Sequence, residues 1–256
     1  MSIITQLKII IASVLLINGC ANAATSVWVY NQTQDVIVLN QNANAVRPVA
    51  SITKLMTAIV ALDHDPVLSR SVKLSNRVGS NLPPGQYTRR QLIDAMLVRS
   101  DNAAAETLAQ DYPGGRAAFI RAMNRRARDL SMTSTRFQDP SGLSRNNVGT
   151  AGDMGTLVTT AGTYALVREI SVQQQIQIES HFKKRIQVTS LPNTNQPLLF
   201  DFDNIRVSKT GFTNPAGWCV AMVVNKHNQE FAVVILGEKN KQQRESAVKR
   251  IIQQLG

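Results

Sequence analysis

The stretch "VASITKLMTAIVALD", Val49–Asp63, sets a serine three residues before a lysine in an otherwise apolar run. Ile52, Leu55, Met56, Ile59, Val60 and Leu62 recur at helical spacing, which predicts a broad apolar helix surface after Pro48. Residues three apart on a helix lie side by side, so Ser51 and Lys54 share a face. Two readings of the pair stand at this level. One is a serine N-cap followed by a lysine whose stem covers apolar surface. The other is a nucleophile beside its base. Spacing alone does not choose, because Ser180–Lys183 and Ser246–Lys249 repeat it.

Outward from this helix the chain reads as strands at both ends with helices between. "SVWVY", a polar turn "NQTQ" and "DVIVLN" form a hairpin pattern before it. After it, Thr88 with Gln91 makes a capping box ahead of "LIDAMLV", a helix that should stop near Arg99. "AAAETLAQDY" and "GRAAFIRAMNRRARDL" read as further helices split by "PGG". The loop "DPSGLSRNN" precedes a second capping pair, Thr150 and Asp153, and a helix towards Ile170. Beyond Ser171, "RIQVTS", "IRVSKTGFT", "WCVAMVV" and "FAVVILG" are rich in β-formers, and "KQQRESAVKRIIQQL" closes as an amphipathic helix. The expected architecture is α+β, with one sheet built from N- and C-terminal strands and a helical insertion beside it. Ala247, Val248, Ile251, Ile252 and Leu255 should pack on that sheet rather than on a membrane.

Composition narrows the class. The chain has 256 residues, 43% of them hydrophobic, and can bury a core without staples. Lys8, the apolar run Ile9–Ile17 and the small residues Ala21–Ala23 read as an export signal cleaved after Ala23, too short to span a bilayer. The rival is a lipoprotein signal acylated at Cys20, which Asn18 disfavours. Cleavage leaves Cys219 as a lone cysteine in a strand pattern, expected to be a buried small hydrophobe. The net charge of +11 favours an anionic envelope polymer or lipid surface over nucleic acid, since no basic platform is interleaved with aromatics. His64, His181 and His227 fall in no Ser-His-Asp order and no His-x-x-x-His spacing, so no metal or cofactor is expected.

Three elements stand in order: Ser51-Ile-Thr-Lys54, Ser100-Asp-Asn102 and Lys209-Thr-Gly211. Ser144-Arg-Asn146 imitates the second, but only Ser51 opens a strongly apolar helix ahead of the other two. The ordered set is the signature of penicillin-binding proteins and class A β-lactamases. With "SDNAAAETLA", "YPGG", "TRFQDPSGL" and "SKTGFTNPAGWCV", the chain resembles the penicillin-binding serine D-Ala-D-Ala peptidases, most of all the small D-alanyl-D-alanine endopeptidases. The resemblance implies a β-lactamase/transpeptidase-like antiparallel sheet over residues 24–256, following the signal at 1–23. The 45 residues after Gly211 are expected to hold two strands and the last helix, with no second C-terminal domain.

The resemblance also implies roles. Ser51 attacks the D-Ala carbonyl, Lys54 takes its proton, Ser100 relays a proton to the leaving amine, and Asn102 holds Lys54 and the substrate amide. Lys209 and Thr210 bind the substrate carboxylate or backbone, and Gly211 allows close approach. The N–H groups of Ser51 and Phe212 form the oxyanion hole. The implied activity is cleavage of D-alanyl–diaminopimelate cross-links in periplasmic peptidoglycan, with β-lactams as covalent inhibitors. The alternatives are a carboxypeptidase trimming pentapeptides, a β-lactamase and a silent peptidoglycan binder. None of the six glutamates has the asparagine four residues on that a class A β-lactamase's deacylating glutamate carries, which argues for slow release of penicillin. Lys54 can be a base only when neutral, through burial or a neighbouring cation such as Lys209. Protein partners are not legible.

Overall fold

The computed structural model describes residues 25–74, 79–182 and 185–255. The export signal and Cys20 lie outside the described residues. In chain order the elements are β1 (Ser26–Asn31), β2 (Val36–Gln41), β3 (Arg47–Pro48), a 3-10 turn (Ala50–Ile52), α1 (Thr53–His64), β4 (Ser71–Lys73), β5 (Gln86–Thr88), α2 (Arg89–Val98), α3 (Asn102–Gln110) and α4 (Gly115–Asp129). There follow β6 (Val148–Gly149), α5 (Ala151–Ala161), α6 (Ala165–Ser171), β7 (Gln175–Phe182), β8 (Arg185–Pro192), α7 (Gln196–Asp201), β9 (Ile205–Thr213), β10 (Gly217–Lys226), β11 (Gln229–Glu238) and α8 (Lys241–Gln254).

A five-stranded antiparallel sheet, ordered β2-β1-β11-β10-β9, joins the two ends of the chain as its sequence pattern predicts. Its central strands are buried on both faces, and their residues divide by parity. Cys219, Ala221 and Val223 of β10 face the helical core, whereas Val220, Met222 and Val224 face α8. Ala247, Val248, Ile251, Ile252 and Leu255 fill that second core, as expected of an amphipathic helix on a sheet. Cys219 is fully buried, and burial pushes its thiol up to about 11, so it serves as a small hydrophobe. His227 and Asn228 both take positive φ and close the β10–β11 hairpin with two residues, the geometry that matches strand twist.

The helical core packs on the other face of the sheet. Its central member is α1, whose residues from Thr53 to Ala61 are all buried. The Thr88–Gln91 capping box forms in full and α2 ends at its C-cap Arg99. Thr150 caps α5 by accepting the Asp153 N–H, while the Asp153 carboxylate turns to Thr135.

Three expectations need correction. The helix expected to run to Ile170 is two helices. Gly162 caps α5, and Thr163 folds its hydroxyl back to the Thr160 carbonyl, redirecting α6 onto β9. The single sheet is accompanied by a four-stranded sheet, β4-β5-β7-β8, and by the short pair β3–β6. Three-residue strands and the Gln-rich alternation of β7 leave little hydrophobic pattern to read. Finally, Ser51 is not a helix N-cap. It lies inside the 3-10 turn, and the α1 cap is Ile52.

Candidate active site

Three chain segments converge on the start of α1. The first is the 3-10 turn that carries Ser51. Ala50, just before it, is held at φ +47, a left-handed conformation that a residue with a Cβ adopts only when its surroundings impose it. The surroundings here are two glycines. At Gly142, φ +84, an added Cβ would lie 2.0 Å from the Ala50 carbonyl oxygen. At Gly211 on β9 an added Cβ would lie 3.0 Å from Ser51 N. Backbone from the 139–144 loop and from the edge strand β9 therefore presses on both sides of the serine turn, at Gly142 at a separation only glycine allows and at Gly211 at one tighter than most Cβ contacts.

The second segment is the corner between α2 and α3. Ser100 turns it with φ +63, and Asp101 caps α3 by accepting the Ala104 N–H at 2.9 Å. Asn102, the first residue of α3, then faces α1. The third segment is β9, on which Lys209 is fully buried and Thr210 donates its hydroxyl to Thr194 Oγ1 at 2.7 Å. Phe212, half exposed, stacks on Trp218 of β10 with centroids 4.4 Å apart.

At the centre is the Lys54 amine. It lies 2.8 Å from Ser51 Oγ and 2.7 Å from Asn102 Oδ1, and it donates a short hydrogen bond to the Ser141 carbonyl. Proton arithmetic fits either charge state. An ammonium donates to all three oxygens. A neutral amine donates to Asn102 and Ser141, which accept only, and offers its lone pair to the Ser51 hydroxyl. Burial favours the neutral state: Lys54 has no exposed surface, and desolvation lowers it to about 7, against the opposing pull of Asp139, Asp101 and Glu106. The depression therefore comes from burial rather than from Lys209. Lys209 itself is held well below its ordinary range, first by burial and then by Lys54 and Arg244.

All three motifs thus meet. Lys54 is in direct contact with both Ser51 and Asn102, with Gly211 against the serine turn and Ser100 at the adjoining corner. The imitators are elsewhere. Ser180 is buried on β7, and Ser246 is exposed while Lys249 pairs with Asp201 at 2.6 Å. Ser144 and Asn146 both donate to Gln138, within the loop.

Three participants escaped the sequence reading. The Ser141 carbonyl is backbone, and a loop phrase such as "DPSG" does not reveal where its carbonyls point. Asp139 organises that loop. Arg244 is buried in α8, its guanidinium 5.8 Å from the Trp218 ring centroid, and its charge reaches Lys209. A signal for it existed: 244, 247, 248, 251, 252 and 255 form one helical stripe, and an arginine within an apolar stripe calls for a partner.

Among known proteins, the D-alanyl-D-alanine carboxypeptidase family matches residues 18–240. The chain is 35% identical over 225 residues to the D-alanyl-D-alanine endopeptidase of Escherichia coli, covering 84% of this chain and 71% of that protein. It is 36% identical over 227 residues to the enzyme of the same name from Pseudomonas aeruginosa, with the same coverage of each. In structure it is similar to the DD-transpeptidase of Streptomyces K15, with TM-score 0.84, 25% identity and coverage of 90% and 96% of the two chains. A penicillin-binding protein of Listeria monocytogenes in its ampicillin-bound form superposes with TM-score 0.80 at 26% identity, over 92% and 98% of the two chains. The five-stranded sheet, the helices packed on it and these likenesses converge: the chain belongs to the D-alanyl-D-alanine carboxypeptidase family of serine peptidases.

Proposed function

We propose that the protein is an exported, periplasmic D-alanyl-D-alanine endopeptidase that opens D-alanyl–diaminopimelate cross-links in peptidoglycan. The observation that carries this reading is the fully buried Lys54 amine, 2.8 Å from Ser51 Oγ and lowered to about 7. A serine hydroxyl is a poor nucleophile until a base accepts its proton, and a neutral amine at hydrogen-bond distance is such a base. Export rests on the signal read at residues 1–23. Among the described residues no helix is long and apolar enough to cross a membrane.

The chemistry then follows in steps that balance. Ser51 Oγ bonds to the carbonyl carbon of the D-Ala residue while Lys54 Nζ takes the hydroxyl proton. The tetrahedral oxyanion lies between the N–H groups of Ser51 and Phe212. Collapse breaks the C–N bond, and the amine leaves with a proton delivered from Lys54 through Ser100. Water then attacks the acyl-enzyme with Lys54 again accepting its proton; as the ester C–O bond breaks, that proton passes to Ser51 Oγ, and the peptide leaves as an acid that ionises in water. Asn102 fixes the Lys54 amine and keeps its own amide N–H groups for the substrate. Lys209 and Thr210 hold the substrate's carboxylate or backbone. An arriving anion favours the ammonium of Lys209, which burial beside Lys54 and Arg244 otherwise disfavours.

In the endopeptidase the leaving amine is the side-chain amine of diaminopimelate. In a carboxypeptidase it is free D-Ala. Similarity to two endopeptidases at 35% and 36% identity favours the first. A class A β-lactamase uses a glutamate to activate the deacylating water. Glu106, whose charge reaches Lys54, accepts from Arg116 at 2.7 Å, so β-lactams are expected to stay as acyl adducts.

Incubating the purified protein with cross-linked muropeptide dimers and with monomeric pentapeptides, followed by mass, tests the assignment. The expected result is monomers from dimers at a rate at least about tenfold above D-Ala loss from pentapeptide, a difference of about 1.4 kcal/mol in barrier. Loss of D-Ala from the pentapeptide with dimers intact makes it a carboxypeptidase instead.

A further inference from the structure

The loop that presents the Ser141 carbonyl to Lys54 is built around one carboxylate. Asp139, 6% exposed, accepts the Ser141 N–H at 2.8 Å, the Ser141 hydroxyl at 3.0 Å and the Gly142 N–H at 2.5 Å on Oδ1. Its Oδ2 accepts the Ser144 N–H at 2.5 Å. Four donors thus converge on two oxygens, which only an ionised carboxylate, an acceptor at every lone pair, can satisfy. An asparagine would point its own N–H₂ at the Ser144 N–H, donor against donor.

The folded loop is then fastened along α1 at three positions in its first five residues. Asn147 Nδ2 donates to Thr53 Oγ1 at 3.1 Å, Lys54 donates to the Ser141 carbonyl, and Thr57 Oγ1 donates to the Pro140 carbonyl at 2.6 Å. Asn147 closes the loop's base by accepting the N–H groups of Gln138 and Asp139. Gly142, the residue whose N–H Asp139 holds, is the one pressed against Ala50 and Ser51.

We propose that Asp139 is a positioning residue of the active site: by gathering the Ser141, Gly142 and Ser144 N–H groups it holds the Ser141 carbonyl on Lys54 and the loop backbone against the Ser51 turn. This rests on the reading of Lys54 as the base. The same carboxylate acts through space on the base's charge. The charged groups facing Lys54 are Asp139 from the loop, Asp101 and Glu106 from the α3 side, the latter paired with Arg116, and Lys209 from β9. Asp139 and Asp101 are held by N–H groups rather than by Lys54, so each favours the ammonium without taking its proton.

The test is the rate of acylation by benzylpenicillin across pH for the wild type, Asp139→Asn, Asp139→Glu and Lys54→Met, with thermal unfolding of each. The wild-type rate should fall on the acid side as Lys54 becomes protonated. In Asp139→Asn the ammonium loses a counter-charge, so this acid limb should move down by about half a unit to one unit. The rate above the limb should drop about tenfold as the loop loosens. Asp139→Glu keeps the charge but displaces it, so the rate should fall while the limb stays. If the Asn variant fails to fold, the Glu variant decides by itself, and a rate within about twofold of wild type overturns the proposal. An unmoved limb in Asp139→Asn, with Lys54→Met inactive, also overturns it and leaves Lys54 as the base. Undiminished acylation by Lys54→Met overturns the base reading and this proposal together.

Discussion

Replacing Lys54 by methionine should slow acylation of Ser51 by about a thousandfold, the range lost when a positioned general base is removed. Methionine matches the lysine stem in length and suits a site with no exposed surface. Two stability terms oppose each other. Ser51 Oγ, Asn102 Oδ1 and the Ser141 carbonyl lose a donor, at about 1–3 kcal/mol for an acceptor left buried and unpaired. Against this, a buried amine no longer has to be desolvated. The variant should therefore fold, and thermal unfolding should place it within about 2 kcal/mol of wild type. A loss of activity with the fold intact separates the chemical role of Lys54 from a packing role. Lys54→Arg should be equally inactive, because a guanidinium stays charged and cannot accept the serine proton. In the wild type, the acylation rate should fall about tenfold per pH unit below the Lys54 value of about 7, since only the neutral amine serves as base.

The second large effect is expected at Gly142. An alanine there would bring its Cβ to 2.0 Å from the Ala50 carbonyl oxygen, 2.4 Å from the Ala50 carbonyl carbon and 2.9 Å from Ser51 N. All three are backbone atoms, so no flexible side chain can give way. The residue also sits at φ +84, which costs an L side chain about 1–2 kcal/mol by itself. The loop must lift away, drawing the Ser141 carbonyl off Lys54. A destabilisation of about 3 kcal/mol or more is expected, equivalent to roughly 6–12 °C in Tm for a chain of this size. Acylation should fall at least about a hundredfold, the scale of a misplaced catalytic group. Gly115→Ala is the control: φ is +68, but nothing lies within 4 Å of its added Cβ. It should lose only about 1–2 kcal/mol and keep its activity. Similar losses at Gly115 and Gly142 would contradict the wedge described around Ser51.

The sequence made the centre of this site legible and left its frame hidden, for physical reasons. Ser51, Lys54, Asn102 and Lys209 are candidates by their side chains, so residue type and order suffice to single them out. The same holds for the sheet cores of β10 and β11, whose unbroken apolar runs announce burial on both faces. The frame is made of backbone. The strained φ of Ala50, the direction of the Ser141 carbonyl and the close approach of Gly142 leave no mark on hydrophobic periodicity. The four-stranded sheet was missed because β4 and β5 have three residues each, too few to show alternation. The origin of the Lys54 depression was open in sequence, where burial and a neighbouring cation are equally available. The geometry assigns it to burial, because α1 is buried at every position from Thr53 to Ala61. Arg244 was legible in principle, as a charge in an apolar stripe, yet its target lies 35 residues away on β9 and becomes evident only when the sheet is assembled.

Ser51 is proposed to form the acyl-enzyme, with Lys54 as its base. Intact-mass measurement after incubation with benzylpenicillin, followed by peptide mapping, tests it most directly. One adduct per chain is expected, located on the peptide containing Ser51 and persisting for minutes or longer, with no adduct on Ser51→Ala. An adduct on another residue, an undiminished adduct on Ser51→Ala, or rapid turnover of penicillin with no lasting adduct would contradict it.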